Sequence, residues 1–103
     1  MSISERLVED LKTAMKAGDK LRVATIRGLR AAFQSAQLEA AKQQYDAAAR
    51  AVEARYSTDA VAREAALAAI SADPHTPLTP EAEVVVLAKE VKRRQEAAAM
   101  YLT

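Results

Sequence analysis

The chain has 103 residues, half of them hydrophobic, with a net charge of +1 and no cysteine. That length holds one modest domain. The missing cysteines exclude a disulfide framework, a thiolate nucleophile and a Cys-based zinc site, and the near-zero charge gives no whole-chain push towards nucleic acid or an anionic membrane.

Alanine supplies 25 of the hydrophobic residues; the larger ones number 27, with one Phe, three Tyr and no Trp. Burial stabilises at roughly 25 cal/mol per Å², so a core rich in Ala is thin and needs closely packed helices or a partner chain. Two Gly and three Pro are too few for a turn-rich β protein. The fold class expected is all-α, a helical bundle built on a helical hairpin with a long second helix and a long final helix. Charge is unevenly spread. Residues 1–42 carry eight Lys/Arg against five Asp/Glu, residues 43–78 three against five, and residues 79–103 four against four.

The first helix is predicted over 3–17. Ser2 followed by Glu5 matches a capping box, and Ile3, Leu7, Leu11, Ala14 and Met15 recur at helical spacing. Acidic residues in this opening stretch stand where a signal peptide needs an apolar run. Gly18 sits where a left-handed terminator is wanted, and Asp19 is placed to cap the next helix.

A second helix is predicted over 19–56, with Leu21, Thr25, Ile26, Gly28, Leu29, Ala32, Phe33 and Ala36 on its apolar side. Arg22 projects towards that side near the helix start, which is odd for a cation. Gly28 costs roughly 1 kcal/mol relative to Ala in a helix; close helix–helix approach and chance tolerance both account for it. After Leu38 the large apolar residues nearly vanish, leaving a segment with high helix propensity and little to bury. It either projects or packs against another Ala-rich surface.

Ser57, Thr58 and Asp59 offer a break and a fresh cap for a short helix over 58–71, with a weak stripe of Val61, Ala65, Ala68 and Ala69. Residues 71–80 hold all three prolines and read as a loop. Thr79 caps a last helix over 79–102, Pro80 suits its first turn, and Glu81 and Glu83 complement its dipole. Its apolar stripe is Val84, Leu87, Ala88, Val91, Gln95, Ala98 and Leu102, close to a heptad spacing. Leu7, Leu11, Ile26, Leu29, Phe33, Leu87 and Val91 are the expected shared core. The chain stops at Leu102–Thr103 without a Gly or Pro terminator, an ending that reads as a cut.

Little in the sequence supports chemistry. His75 is the only histidine and lies in the Pro-rich loop, so no metal set is expected. Serines and threonines fall at caps and turns without a base partner. No Gly-rich phosphate loop is present, no cofactor is implied, and no apolar run approaches the ~20 residues that span a bilayer. A soluble, cytoplasmic binding protein is the expectation. Two basic sets remain as nucleic-acid-binding candidates: Lys20, Arg27 and Arg30 on the second helix, and Lys89, Lys92, Arg93 and Arg94 on the last. Such clusters neutralise phosphates, although charged helix faces usually just face solvent. Glu90 and Glu96 are interleaved with the second set.

Two blocks carry a resemblance. Ala14, Met15, Lys16, Ala17, Asp19 and Lys20 form a turn, and Arg22, Thr25, Ile26, Arg27 and Leu29 follow on the next helix. Later come Lys89, Val91, Lys92 and Arg94. Together these resemble the GatB/YqeY domain family. The resemblance implies one helical domain over 1–103, with an Ala-rich insertion at 43–77 and without the family's carboxy-terminal helical subdomain after Tyr101. It also implies association with tRNA, because the related tail of the glutamine-dependent amidotransferase B subunit contacts tRNA. The family label of carbon–nitrogen ligase with glutamine as amide donor comes with it, while the residues show no such chemistry of their own. The expected partners are tRNA or a tRNA-charging or amidating enzyme. The alternative is a helical protein–protein module, including a homo-oligomer through the Ala-rich segment.

Overall fold

The computed structural model describes residues 1–71 and 73–102. Ala72 in the expected loop and Thr103 in the expected ending lie outside the described residues. Four helices run in order, α1 (Ile3–Ala17), α2 (Lys20–Arg55), α3 (Ala60–Ala68) and α4 (Pro80–Leu102), and no strand occurs among the described residues. The all-α expectation holds. Contacts divide the chain into two compact units, Met1–Ala36 with Pro77–Thr103, and Gln37–Thr76.

Local chemistry sets the helix ends. Ser2 is the cap of α1, its side chain accepting from the Glu5 amide. Gly18 takes φ +69°, which a Cβ would resist, and α1 closes with Gly18 N donating to Met15 O and Asp19 N to Ala14 O. Asp19 then caps α2 by accepting from the Arg22 amide at 3.1 Å. Asp59 and Thr79 do the same for α3 and α4, accepting from the Ala62 and Ala82 amides. The third helix is shorter than the 58–71 expected. It starts after the Asp59 cap, and Ala69 ends it before Asp73 precedes Pro74, a position that disfavours helical backbone.

In the first unit, Leu7, Ala14, Ile26 and Phe33 are buried, with Ile3, Leu11, Val23, Leu29, Leu78, Val86 and Leu87 packed against them. The expected shared core is there except for Val91, which is 45% exposed. The inward face of α4 carries Glu83, Val86, Leu87, Glu90 and Arg94, so Val84, Ala88 and Val91 point to solvent. On α2, Leu21 is exposed and Val23 packs in its place. Arg22 also faces solvent, its Nε 3.8 Å from the capping Asp19 carboxylate, and does not project towards the core.

The second unit holds the end of α2 and α3. Ala41 is buried, and the half-buried face of α3 is Ala62, Arg63, Ala66 and Leu67; the expected stripe of Val61, Ala65, Ala68 and Ala69 is exposed. Arg63 Nη1 donates to the Ser57 carbonyl at 3.1 Å, satisfying backbone left free in the turn after α2. Asp73 accepts from the His75 amide, so the loop histidine is exposed beside a turn.

Candidate nucleic-acid interface

The seven basic candidates separate by what their heads meet, and helical spacing decides this. Glu90 lies three residues before Arg93 and four before Arg94, distances at which side chains share a helix face. Its carboxylate accepts from Arg94 Nη1 at 2.9 Å and lies 3.2 Å from Arg93 Nη2. Arg94 also donates to the Glu90 carbonyl at 3.3 Å. Lys92 stands 3.9 Å from Glu96, both well exposed, a pair too weak to hold its ammonium. Lys20, Arg27 and Lys89 are exposed, and Arg30 is half-buried; none has an ion-pair partner among the described residues.

Arg94 belongs to the fold as much as to the surface. It is half-buried, and a Cβ built at Gly28 would lie 2.9 Å from its Nη2. Gly28 therefore makes room for a guanidinium tip from α4 to lie against α2. Of the two accounts of this glycine, close approach is the one the geometry supports, with a side chain in place of a backbone.

A second polar contact joins α1 and α4. Glu83 is 3% exposed, and its Oε2 accepts from the Ser4 amide at 2.9 Å and from Ser4 Oγ at 2.7 Å. Burial pushes its carboxyl up, but hydrogen bonds from the Ser4 hydroxyl and the Ser4 and Ile3 amides outweigh this and lower it below the ordinary 4.5. Glu83 was expected to complement its own helix dipole. It instead serves the start of α1, where free amides and the dipole favour an anion. No local sequence signal marks this pairing, because Ser4 and Glu83 are 79 residues apart.

Beside the Gly18 turn lies a depression of about 340 Å³, lined by Met15, Gly18, Lys20, Val23, Ala24 and Arg27. Sequence reading supplied the two cations but not the cavity between them. Among the described residues no group of three or more His, Cys, Asp or Glu is placed to hold a metal, and no helix is long and apolar enough to cross a membrane.

No curated protein and no solved structure matches the chain. The sequence model of the family described as Yqey-like protein matches residues 4–59, more than half of the chain. That span takes in all of α1 but Ile3, the Gly18 turn, the depression and the whole of α2. It also covers residues 43–59, the first part of the stretch expected to be an insertion. On this match the chain belongs to the Yqey-like protein family.

Proposed function

We propose that the chain is an accessory, tRNA-associated binding domain acting in the cytoplasm, with Lys20, Arg27, Lys89 and Lys92 as its principal phosphate contacts. The observation that carries this reading is that Lys20, Arg27 and Lys89 stand exposed with no ion-pair partner among the described residues. A cation without a carboxylate neighbour is free to replace the counterions of a phosphate backbone. Arg30 is a lesser contact because it is half-buried, and Arg93 and Arg94 share the Glu90 carboxylate. The family's relation to the tail region of glutamine-dependent amidotransferase supports tRNA as the nucleic acid, with a tRNA-charging or amidating enzyme as the setting. Binding of tRNA measured by fluorescence anisotropy over a series of salt concentrations tests this. Affinity that falls linearly on a log–log plot supports it, and no affinity at low salt overturns it.

The exposed row of Val84, Ala88 and Val91 on α4 favours a second reading, a helical protein–protein module. Apolar residues at near-heptad spacing suit an added helix. Retention of a protein partner after ribonuclease treatment, lost on Val84→Asp/Val91→Asp substitution, supports that reading.

A further inference from the structure

We infer that the depression beside the Gly18 turn seats one unpaired nucleotide within an RNA strand, its base on the apolar floor and its two flanking phosphates on Lys20 and Arg27. The inference rests on the RNA reading above and names the element of RNA that this site takes. Three features of the site support it.

The depression, about 340 Å³ and open to solvent on one side, has room for more than a phosphate. Its floor is Met15, Val23 and Ala24, so it offers apolar contact and no side chain that reads a base edge. Such a floor tolerates any base, as sequence-independent single-strand sites do. Met15 is 54% exposed although most of its helix's apolar stripe is buried or half-buried. A polarisable thioether left at the edge of a cavity makes favourable contact with an aromatic ring.

Both cations line the depression, with Val23 and Ala24 between them in sequence. Lys20, Val23, Ala24 and Arg27 follow one face of α2 at spacings of three and four, and seven residues of helix separate Lys20 from Arg27 by about 10 Å. The long, flexible stems of Lys20 and Arg27 let their heads close in from that backbone spacing onto the two phosphates that flank one nucleotide. A free mononucleotide occupies only one of the heads. Arg27 also offers a guanidinium plane on which a base stacks. No acidic residue is among those lining the depression, and the neighbouring Asp19 carboxylate is taken up by the Arg22 amide and side chain. A paired base inside an A-form helix cannot enter, which makes the site selective for loops, bulges and ends.

The test uses the full chain with a labelled single-stranded RNA dodecamer, the same sequence as a duplex, and a nucleoside monophosphate. Anisotropy is read over a salt series, with thermal melts of each variant to confirm folding. The single strand is expected to bind more tightly than the duplex and the monophosphate. Lys20→Ala/Arg27→Ala removes two phosphate contacts, so the logarithmic salt slope falls by about 1.4. Ala24→Leu fills the floor without changing charge. It is expected to weaken single-strand binding about tenfold at an unchanged salt slope, while duplex binding stays as it was. If RNA binds but neither variant changes its affinity, the site is elsewhere; this inference falls and the RNA reading stands. An effect of the charge variant with none from Ala24→Leu leaves phosphate contact alone and overturns the base-seating inference. A monophosphate that binds as tightly as the strand overturns the two-phosphate assignment. A wild-type chain that binds none of the three overturns both readings.

Discussion

Replacing the buried Glu83 should cost more stability than replacing any exposed charge among the described residues. Its carboxylate makes two bonds to Ser4, at 2.9 Å from the amide and 2.7 Å from the hydroxyl, and is 3% exposed. Hydrogen bonds to a charged group contribute roughly 1.5–3 kcal/mol each, and burying the carboxylate itself offsets part of that. Glu83→Ala removes the acceptor, leaves the Ser4 amide and hydroxyl unpaired and opens a small cavity. The net loss expected is about 2–4 kcal/mol. At a ΔS near ~0.2 kcal/mol/K for a chain this size, that is a fall in Tm of roughly 10–20 °C. Glu83→Gln keeps an acceptor but loses the charge facing the α1 N-terminus, and is expected to lose about 1–2 kcal/mol. The pH dependence follows from the sign. The folded carboxyl is lowered below its ordinary 4.5, so the stabilisation is fully present above 4.5 and is lost as pH falls through the lowered value. The gap between wild type and Glu83→Gln should therefore close on acidification. Thermal unfolding followed by circular dichroism from neutral to acid pH measures all of this. A Tm for Glu83→Ala within about 3 °C of wild type at neutral pH, or a gap independent of pH, refutes the reasoning.

Gly28→Ala alone should change stability by less than about 1 kcal/mol, because the helix-propensity gain is opposed by displacing the Arg94 tip; in an Arg94→Ala background the same change should stabilise by about 1 kcal/mol. A double-mutant cycle read by urea unfolding checks this, and additive effects refute the contact. Substituting Lys89, Lys92 and Arg93 with Ala should lower the logarithmic salt slope of tRNA binding by roughly 1.5–2, because Arg93 is held by Glu90, while moving Tm little; an Arg27→Ala/Arg30→Ala variant measured beside it separates the two helices. Deletion of residues 43–71 should abolish self-association if the Ala-rich segment joins two copies, and analytical ultracentrifugation showing a monomer with and without the segment refutes that.

Helix ends were legible in the sequence because caps act over three or four residues. Ser2, Gly18, Asp19, Asp59 and Thr79 each meet a partner close by in the chain, and each was placed from sequence alone. The inward face of α4 was legible only at Leu87. Apolar spacing selected Val84, Ala88 and Val91, whereas Glu83, Glu90 and Arg94 occupy the inward side with Val86 and Leu87. A reading that sends charge outward rotates the helix away from its true face whenever buried charges have partners elsewhere. Ser4, the partner of Glu83, and the space over Gly28 that the Arg94 tip takes lie on other helices, while Glu90 pairs with Arg93 and Arg94 on α4 itself. On α3 the short stripe was misplaced for a different reason. In a run of alanines, one valine tilts the apparent face, and Val61 proves to be 81% exposed.

The basic candidates were more readable than charge counting suggested, because each one's fate follows from its neighbours at three and four residues. Arg93 and Arg94 have Glu90 at those spacings and are paired with it; Lys92 has Glu96. Lys20, Arg27, Arg30 and Lys89 have no acidic residue at three or four positions on their own helices, and none is ion-paired among the described residues. Some of these positions also set like charges side by side, Arg27 with Arg30 and Lys89 with Lys92 and Arg93. Like charges at such spacings destabilise an isolated helix by a few tenths of a kcal/mol per pair. A bound polyanion would reverse the sign of that term, turning repulsion within the helix into attraction shared by both cations. Removing either member of the Arg27–Arg30 pair should therefore raise the helix's stability slightly in the free chain and lower it in the RNA-bound chain. A purely solvated charged face does not produce that inversion.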